Sequence, residues 1–489
     1  MRRLLFGVLS GLACATTTPT HPPPSGLEPY AASIDWERAG AEAIRVLSEY
    51  LRVDTFNPPG NEARGAQFLA EVLAKDGIES TVSEFAPGRS NVVARLKATG
   101  SPKRKPLCLL SHIDVVPAEA SEWPAEKGPL SGAIDENGML WGRGALDMKG
   151  MGALELMTLV WLKRAQVPLE RDVILIAVGD EEVDSQGLKH LLATSWSQLD
   201  CGQVVNEGGL GVQGLIFEGQ TVFAISVAEK GALWLRITVS GEPGHGSLPD
   251  TTRSPTRLTE VLRRLGARTP EARVDVSLYE LLRRVGEHRG GVGGAVLQSP
   301  FLVDLLVKGR LMAKRTTRAA MTTTCQVTGF EGKGSSPNVV PSHVAAIVDC
   351  RLLPEVTPEA LLAELKEQLA GIEGLSFEVL NADVANRSSW DDDFFEALAR
   401  RLTAGRSEAV AGPVLSPGYT DSLLLRPKGA AAFGIIPFSV SQEELSTLHG
   451  KHERVSVSNI RRGLEVLFRA VVDVSAATLA KSNHQQVPP

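Results

Sequence analysis

Apolar runs that stop at acidic or imidazole side chains constrain this chain more than any other feature. Pro106-Leu107-Cys108-Leu109-Leu110 leads into Ser111-His112-Ile113-Asp114, and Val173-Ile174-Leu175-Ile176-Ala177-Val178 leads into Gly179-Asp180-Glu181-Glu182. Val204-Val205 leads into Asn206-Glu207-Gly208-Gly209. Short continuous apolar runs of this kind read as strands covered on both faces, the habit of parallel sheets. Helical periods alternate with them over Trp36 to Leu51, Glu62 to Asp76 and Met148 to Ala165, with Pro168 just past the last. The fold class that follows is α/β, a mixed and mostly parallel sheet sandwiched by helices. In such sheets ligands collect beyond the carboxyl ends of the strands, where His112, Asp114, Glu181, Glu182 and Glu207 fall.

From Gly231 the pattern changes. Trp234 to Val239 alternates, a helix is predicted near Arg257 to Leu265, and strands follow at Met321 to Thr328 and His343 to Cys350. Pro358 to Leu369 reads as a helix and Leu375 to Leu380 as a strand, so residues 232–381 form an α+β segment inserted between 34–231 and 382–476. With 489 residues, a chain of more than one domain is expected. Leu278 to Arg318 is an extra basic, partly helical stretch broken at Gly290-Gly291-Val292-Gly293-Gly294, expected as a lid or a dimer-facing excursion. Asp393 to Ala404 and Arg461 to Val472 are helices that return to the first sheet, and 477–489 is a polar tail.

A net charge of -6 leaves no basic footprint for nucleic acid. Residues 1–14 read as an export signal: Arg2-Arg3 precede the apolar Leu4 to Leu9, and small residues lead to Cys14. Cleavage alone and lipid attachment at Cys14 are both open, and lipid there would be the chain's membrane attachment. The expected location is secreted, periplasmic or lipid-anchored at the cell envelope. Residues 15–33, rich in Thr and Pro at their start, read as a tether. Cys108, Cys201, Cys325 and Cys350 are widely spaced and expected as buried free thiols, with disulfides left open by export.

Two divalent ions held close together need carboxylates to offset their charge, one carboxylate to bridge them, and neutral imidazoles. The strand ends supply these groups, together with Asp147 in Gly142-Arg143-Gly144-Ala145-Leu146-Asp147-Met148-Lys149-Gly150 and the distant His449-Gly450. Asp147, at a helix start, is the natural bridge; His112 and Glu207 would complete one site and Glu182 with His449 the other. Glu181 is the candidate general base. Asp114 would accept the second N–H of His112 and fix its tautomer. The metal is expected to be two Zn2+ per chain, with Co2+ or Mn2+ compatible with the same donors.

As a set these motifs, with His449-Gly450-Lys451-His452-Glu453-Arg454, resemble the M20 metallopeptidase family of carboxypeptidases, aminoacylases and desuccinylases from about Ile34 to Val472. The resemblance implies a di-zinc catalytic domain interrupted by a smaller lid domain that commonly mediates homodimer formation. It implies cleavage of an amide next to a free carboxylate, releasing an amino acid from a peptide or an N-acyl amino acid. It adds His245, in Gly244-His245-Gly246, as a group that steadies the oxyanion, often across a dimer. It also adds Asn338, Arg351, Gly418 and Thr420 as substrate-binding residues. The insert ending in Arg315-Thr316-Thr317-Arg318 resembles the carboxypeptidase S and N-acyl-amino-acid hydrolase branch. The alternative of another class is a catalytically inactive surface protein of this fold that binds peptides.

Overall fold

The computed structural model describes residues 28–477. The leader, Cys14, most of the Thr/Pro-rich tether and all but the first residue of the polar tail lie outside that range. An 11-stranded sheet forms the larger body. At its centre Val173–Val178, Leu107–His112, Gln203–Asn206 and Ala431–Gly434 are neighbours in parallel register. All six residues of both Leu107–His112 and Val173–Val178 are buried. Successive side chains serve opposite faces: Leu107, Leu109, Val173 and Leu175 join one core, while Cys108, Leu110, Ile174 and Ile176 join another. Helices Trp36–Leu51, Lys149–Arg164 and Val457–Ser475 cover the first face, and Gln186–Thr194 covers the second. The apolar runs are continuous because both faces need them. Among the described residues no single helix is long and apolar enough to cross a membrane.

A second sheet of four antiparallel strands orders Thr324–Glu331, His343–Leu352, Gly231–Ser240 and Leu375–Asp383. One of its faces has its own core, where Leu233, Leu235, Ile237 and Val239 meet the helices Ser254–Gly266 and Pro358–Gln368. The other face carries Arg236, ion-paired to Glu378 on the adjacent strand and to Glu331 two strands away. This one-sided burial is what the alternation of Trp234 to Val239 encodes.

Two expectations are corrected. The stretch 278–318 does not project as a free lid: its helix Val276–Arg289 packs on strand Ala409–Ser416 of the large sheet. There Leu281, Leu282, Val285, Leu297 and Val303 cluster with Val222 and Val410. The cysteines are not free thiols. Cys108 is bonded to Cys201 and Cys325 to Cys350, with Cα separations of 5.9 and 4.0 Å. Sequence separations of 93 and 25 hide neighbours that sheet register brings together, Cys325 standing opposite Cys350.

Candidate metal centre and its support

His112, Asp147, Glu181, Glu182, Glu207 and His449 converge at the carboxyl edge of the central strands. The Asp147 carboxylate divides its oxygens between two groups of ligands. Its Oδ1 lies 3.1 Å from His112 Nε2, which is 3.6 Å from Glu207 Oε1. Its Oδ2 lies 2.9 Å from His449 Nε2, which is 3.2 Å from Glu182 Oε1. Donor atoms of His112, Glu181 and Glu207 fall within 4.8 Å of one another, as do those of His112, Asp147 and Glu182. Glu181 therefore faces the His112–Glu207 side of the gap while its neighbour Glu182 faces the other.

Four carboxylates meet two imidazoles here, and no lysine or arginine forms an ion pair with any of the four among the described residues. Burial, and then the charge of Asp147, push Glu207 up to about 8. Burial and the Glu207 charge raise Glu181 well above the usual carboxylate range. Hydrogen bonds to Asp147 and then Glu182 push His449 up to about 10. Burial opposes ionisation of Asp147, but hydrogen bonds from His112 and His449 outweigh it and hold its carboxyl well below the usual range. Buried negative charge of this density requires positive charge. Divalent cations suit the donor set, since imidazoles and carboxylates from both sides meet on a single shared aspartate.

The loops that carry these groups are held from beneath. The Asp114 carboxylate is fully buried and accepts the backbone N–H groups of Glu181 and Glu182 at 3.2 and 3.1 Å, and the amide of Asn57 at 2.9 Å. The tautomer of His112 is fixed otherwise than expected: its Nδ1 lies 2.8 Å from the Asp114 backbone carbonyl and 3.8 Å from the carboxylate. The Asp114 side chain is drawn away because the loop amides compete for it. Asp180, in the left-handed region at φ 73°, receives Asn57 and Arg89, and Arg89 also grips Glu62. Left-handed backbone costs a non-glycine residue on the order of 1–3 kcal/mol, and these bonds hold it there.

A second support joins distant motifs. The buried Glu453 carboxylate accepts the N–H groups of Leu146 and Asp147 at 2.7 and 3.1 Å and pairs with Arg143 at 2.6 Å. Arg143 also donates to the carbonyl of Gly450 at 2.7 Å. Asp147 and the His449 loop are thus fastened to one ion pair. Past Glu207 the chain lies so close to strand Thr221–Glu229 that a Cβ on Gly209 would sit 1.8 Å from the Ala224 oxygen.

The remaining predicted residues do not join the cluster in this chain. Exposed His245 is 3.3 Å from Asn338 and 2.7 Å from Ser247 Oγ, all on the second, smaller body. Arg351 pairs at 2.9 Å with Asp349 on its own strand. Thr420 is engaged by Glu229 through both its N–H and its hydroxyl, at 3.0 and 2.9 Å. Gly418 N–H donates to Ser416 Oγ at 3.2 Å. His452 lies against Trp123 and Trp141, 3.0 Å from the Glu122 carbonyl, away from the ligands. Sequence reading missed Asn57, Arg143 and Glu453 as supports. The signal for the last two lay in the motifs themselves, where a fixed charge of each sign stands without an assigned partner.

The profile of peptidase family M20/M25/M40 matches residues 108–473. The human N-fatty-acyl-amino acid synthase/hydrolase PM20D1 is 28% identical over 383 residues, 76% of this chain and 74% of that protein. Pig aminoacylase-1 is 26% identical over 442 residues, 89% of this chain and 96% of that protein. Among solved structures, the M20 family metallo-carboxypeptidase Sso-CP2 from Sulfolobus solfataricus superposes with a TM-score of 0.66 at 21% identity, covering 88% of this chain and 99% of that one.

Proposed function

The chain belongs to peptidase family M20/M25/M40, and from that premise we propose that it is a di-zinc hydrolase that releases an amino acid from an N-acyl amino acid. The observation that carries this reading is the Asp147 carboxylate shared between the His112–Glu207 and His449–Glu182 groups, with Glu181 at the gap. His112, Glu207 and Asp147 would hold one cation; His449, Glu182 and Asp147 would hold the other. Bound there, the cations supply Lewis-acid polarisation of the scissile carbonyl and acidify the attacking water.

The protein's own part begins with Glu181. Its carboxylate takes the proton of the attacking water and delivers it to the leaving amine nitrogen. Asp114 keeps Glu181 and Glu182 pointing to opposite sides of the gap through the two backbone N–H groups it accepts. His245 and Asn338 are exposed and bonded to each other. That state supports their serving the oxyanion from the lid, in the same chain after closure or in a second copy of a homodimer. The names of the human and pig relatives favour an N-acyl substrate over a peptide. The two disulfides support an oxidising, exported location.

The test is release of free amino acid from an N-acetyl amino acid and from a dipeptide of the same residue, before and after chelation and reconstitution with zinc, cobalt or manganese. Metal-restored turnover of the N-acyl substrate is expected. Turnover confined to the dipeptide would make the protein a peptidase, and reconstituted protein that binds both substrates and cleaves neither would make it a binding module.

A further inference from the structure

A cavity of about 730 Å3 lies between the helical insert and the large sheet. It falls in the range of roughly 300–1,000 Å3 typical of small-molecule sites. Leu278, Leu282, Val296 and Leu311 wall it from the insert, and Ala224 and Val414 wall it from the sheet. Several of its polar wall groups are already engaged. Asp275 is held by Arg387 and Ser277, Thr317 donates to the carbonyl of Leu311, and Lys314 donates to the carbonyl of Leu215. Apart from the exposed Arg310, what remains of the wall is mainly apolar and suits a hydrocarbon guest.

The same walls run toward the metal centre. On strand Thr221–Glu229 the cavity residue Ala224 is followed, two positions on, by Ser226, whose Cβ would lie 3.1 Å from a Cβ on Gly208, the residue after Glu207. Ala224 itself abuts Gly209 through its carbonyl. On the neighbouring strand, Val414, Leu415 and Pro417 line the cavity, and the chain then turns into the loop that sets Thr420 against Glu229 and beside Asn206. Both strands that wall the cavity therefore lead to segments that adjoin Glu207, through Gly208 and Gly209 on one and through the Thr420–Asn206 approach on the other.

We propose that this cavity is an acyl-chain site, taking the long hydrocarbon tail of an N-acyl amino acid whose amide lies at the carboxylate–histidine cluster. The assignment rests on the hydrolase reading above. It also explains why the insert 278–318 packs where it does, because its helices on the large sheet form the wall that a compact sheet edge lacks.

The experiment measures kcat/KM for one amino acid carrying acyl chains from acetyl to dodecanoyl. Each methylene that enters the cavity should raise kcat/KM by about fourfold until the space is filled. Val414→Phe and Val296→Trp fill the space from opposite walls, and either should lower the dodecanoyl-to-acetyl ratio of kcat/KM at least about tenfold. Circular dichroism separates a misfolded variant from an informative one, and calorimetric binding of dodecanoate to the wild type and to each variant reads the site without turnover. Binding of dodecanoate that weakens in both folded variants is the expected result. Acetyl turnover with no dependence on chain length, or a ratio that both folded variants leave unchanged, would overturn the acyl-site assignment alone. Failure to cleave any member of the series would overturn the hydrolase reading on which it rests.

Discussion

The ligand cluster and the His245–Asn338 pair are built in opposite ways. His112 and Glu207 are buried at the ends of strands whose every residue is packed, Asp147 is buried just before the helix Lys149–Arg164, and Asp114 and Glu453 fix the loops around them. His245 sits on a two-residue bridge to Val339–Val340, exposed, with hydrogen bonds only to its own neighbourhood. The first region is preorganised and complete within one chain. On the proposed reading the second is half of a site, completed when it meets the substrate. On the proposed mechanism, metal binding and proton transfer fall to the preorganised body and oxyanion contact to the other.

Removing the shared ligand should have the largest effect. Asp147→Ala is expected to take metal content well below that of the wild type and turnover below detection, by mass-spectrometric metal analysis and amine release. Next, Glu181→Gln should lower kcat by about 10²- to 10⁴-fold, the range of a general acid–base group, with metal content kept. Loss of metal in that variant would reassign Glu181 as a ligand.

Glu453→Ala tests whether the rigid body depends on its hidden support. It leaves Arg143 buried without its partner, which costs about 3–5 kcal/mol, and should weaken metal binding although Glu453 touches no ligand side chain. A variant with unchanged melting temperature and metal affinity would deny that role. On the movable side, His245→Ala should lower kcat roughly 10²- to 10³-fold, as for an oxyanion donor, with melting temperature unchanged because the residue is exposed. Mixing it with Glu181→Ala sharpens the comparison. Recovered activity means that the histidine serves a second copy, whereas none means that it closes onto its own chain.

The smallest effect concerns Glu155 in helix Lys149–Arg164, buried with neither carboxylate oxygen hydrogen-bonded. Burial raises its carboxyl well above the usual range, and the nearby Ser111 hydroxyl opposes this only in part. A raised folded-state value means that ionisation is disfavoured in the native protein. The destabilisation is absent below the unfolded-state value, grows as pH rises toward the folded-state value, and is complete above it. Glu155→Gln should therefore raise thermal stability at pH 8, where it removes the penalty on ionisation, and leave it unchanged at pH 4. Equal melting curves at both pH values would count against the ionised state.

The contrast between the two bodies also governs what the sequence disclosed. Candidate ligands at strand ends were legible because an apolar run fixes both the strand and the place where it stops. The helix after Asp147 and the alternation of Trp234 to Val239 were legible for the same local reason. Partners joined only by tertiary structure were not. Arg143 and Glu453 are 310 positions apart, and Asn57 reaches Asp114 and Asp180 from another loop. The Cys108–Cys201 pair arises from sheet order, and the seat of 278–318 on the large sheet arises from an apolar face whose counterpart, Val410, follows more than ninety residues later. Thr420 looked free for substrate because nothing in its loop announces Glu229.

On the proposed reading, Asp147 joins two cation sites into one centre. Metal-free protein titrated with zinc, with bound ions per chain and amide turnover read on the same samples, tests it most directly. Two equivalents should bind, turnover should depend on both, and Asp147→Asn should weaken both sites together. Full activity with a single ion, or one site kept at full affinity in Asp147→Asn, would contradict it.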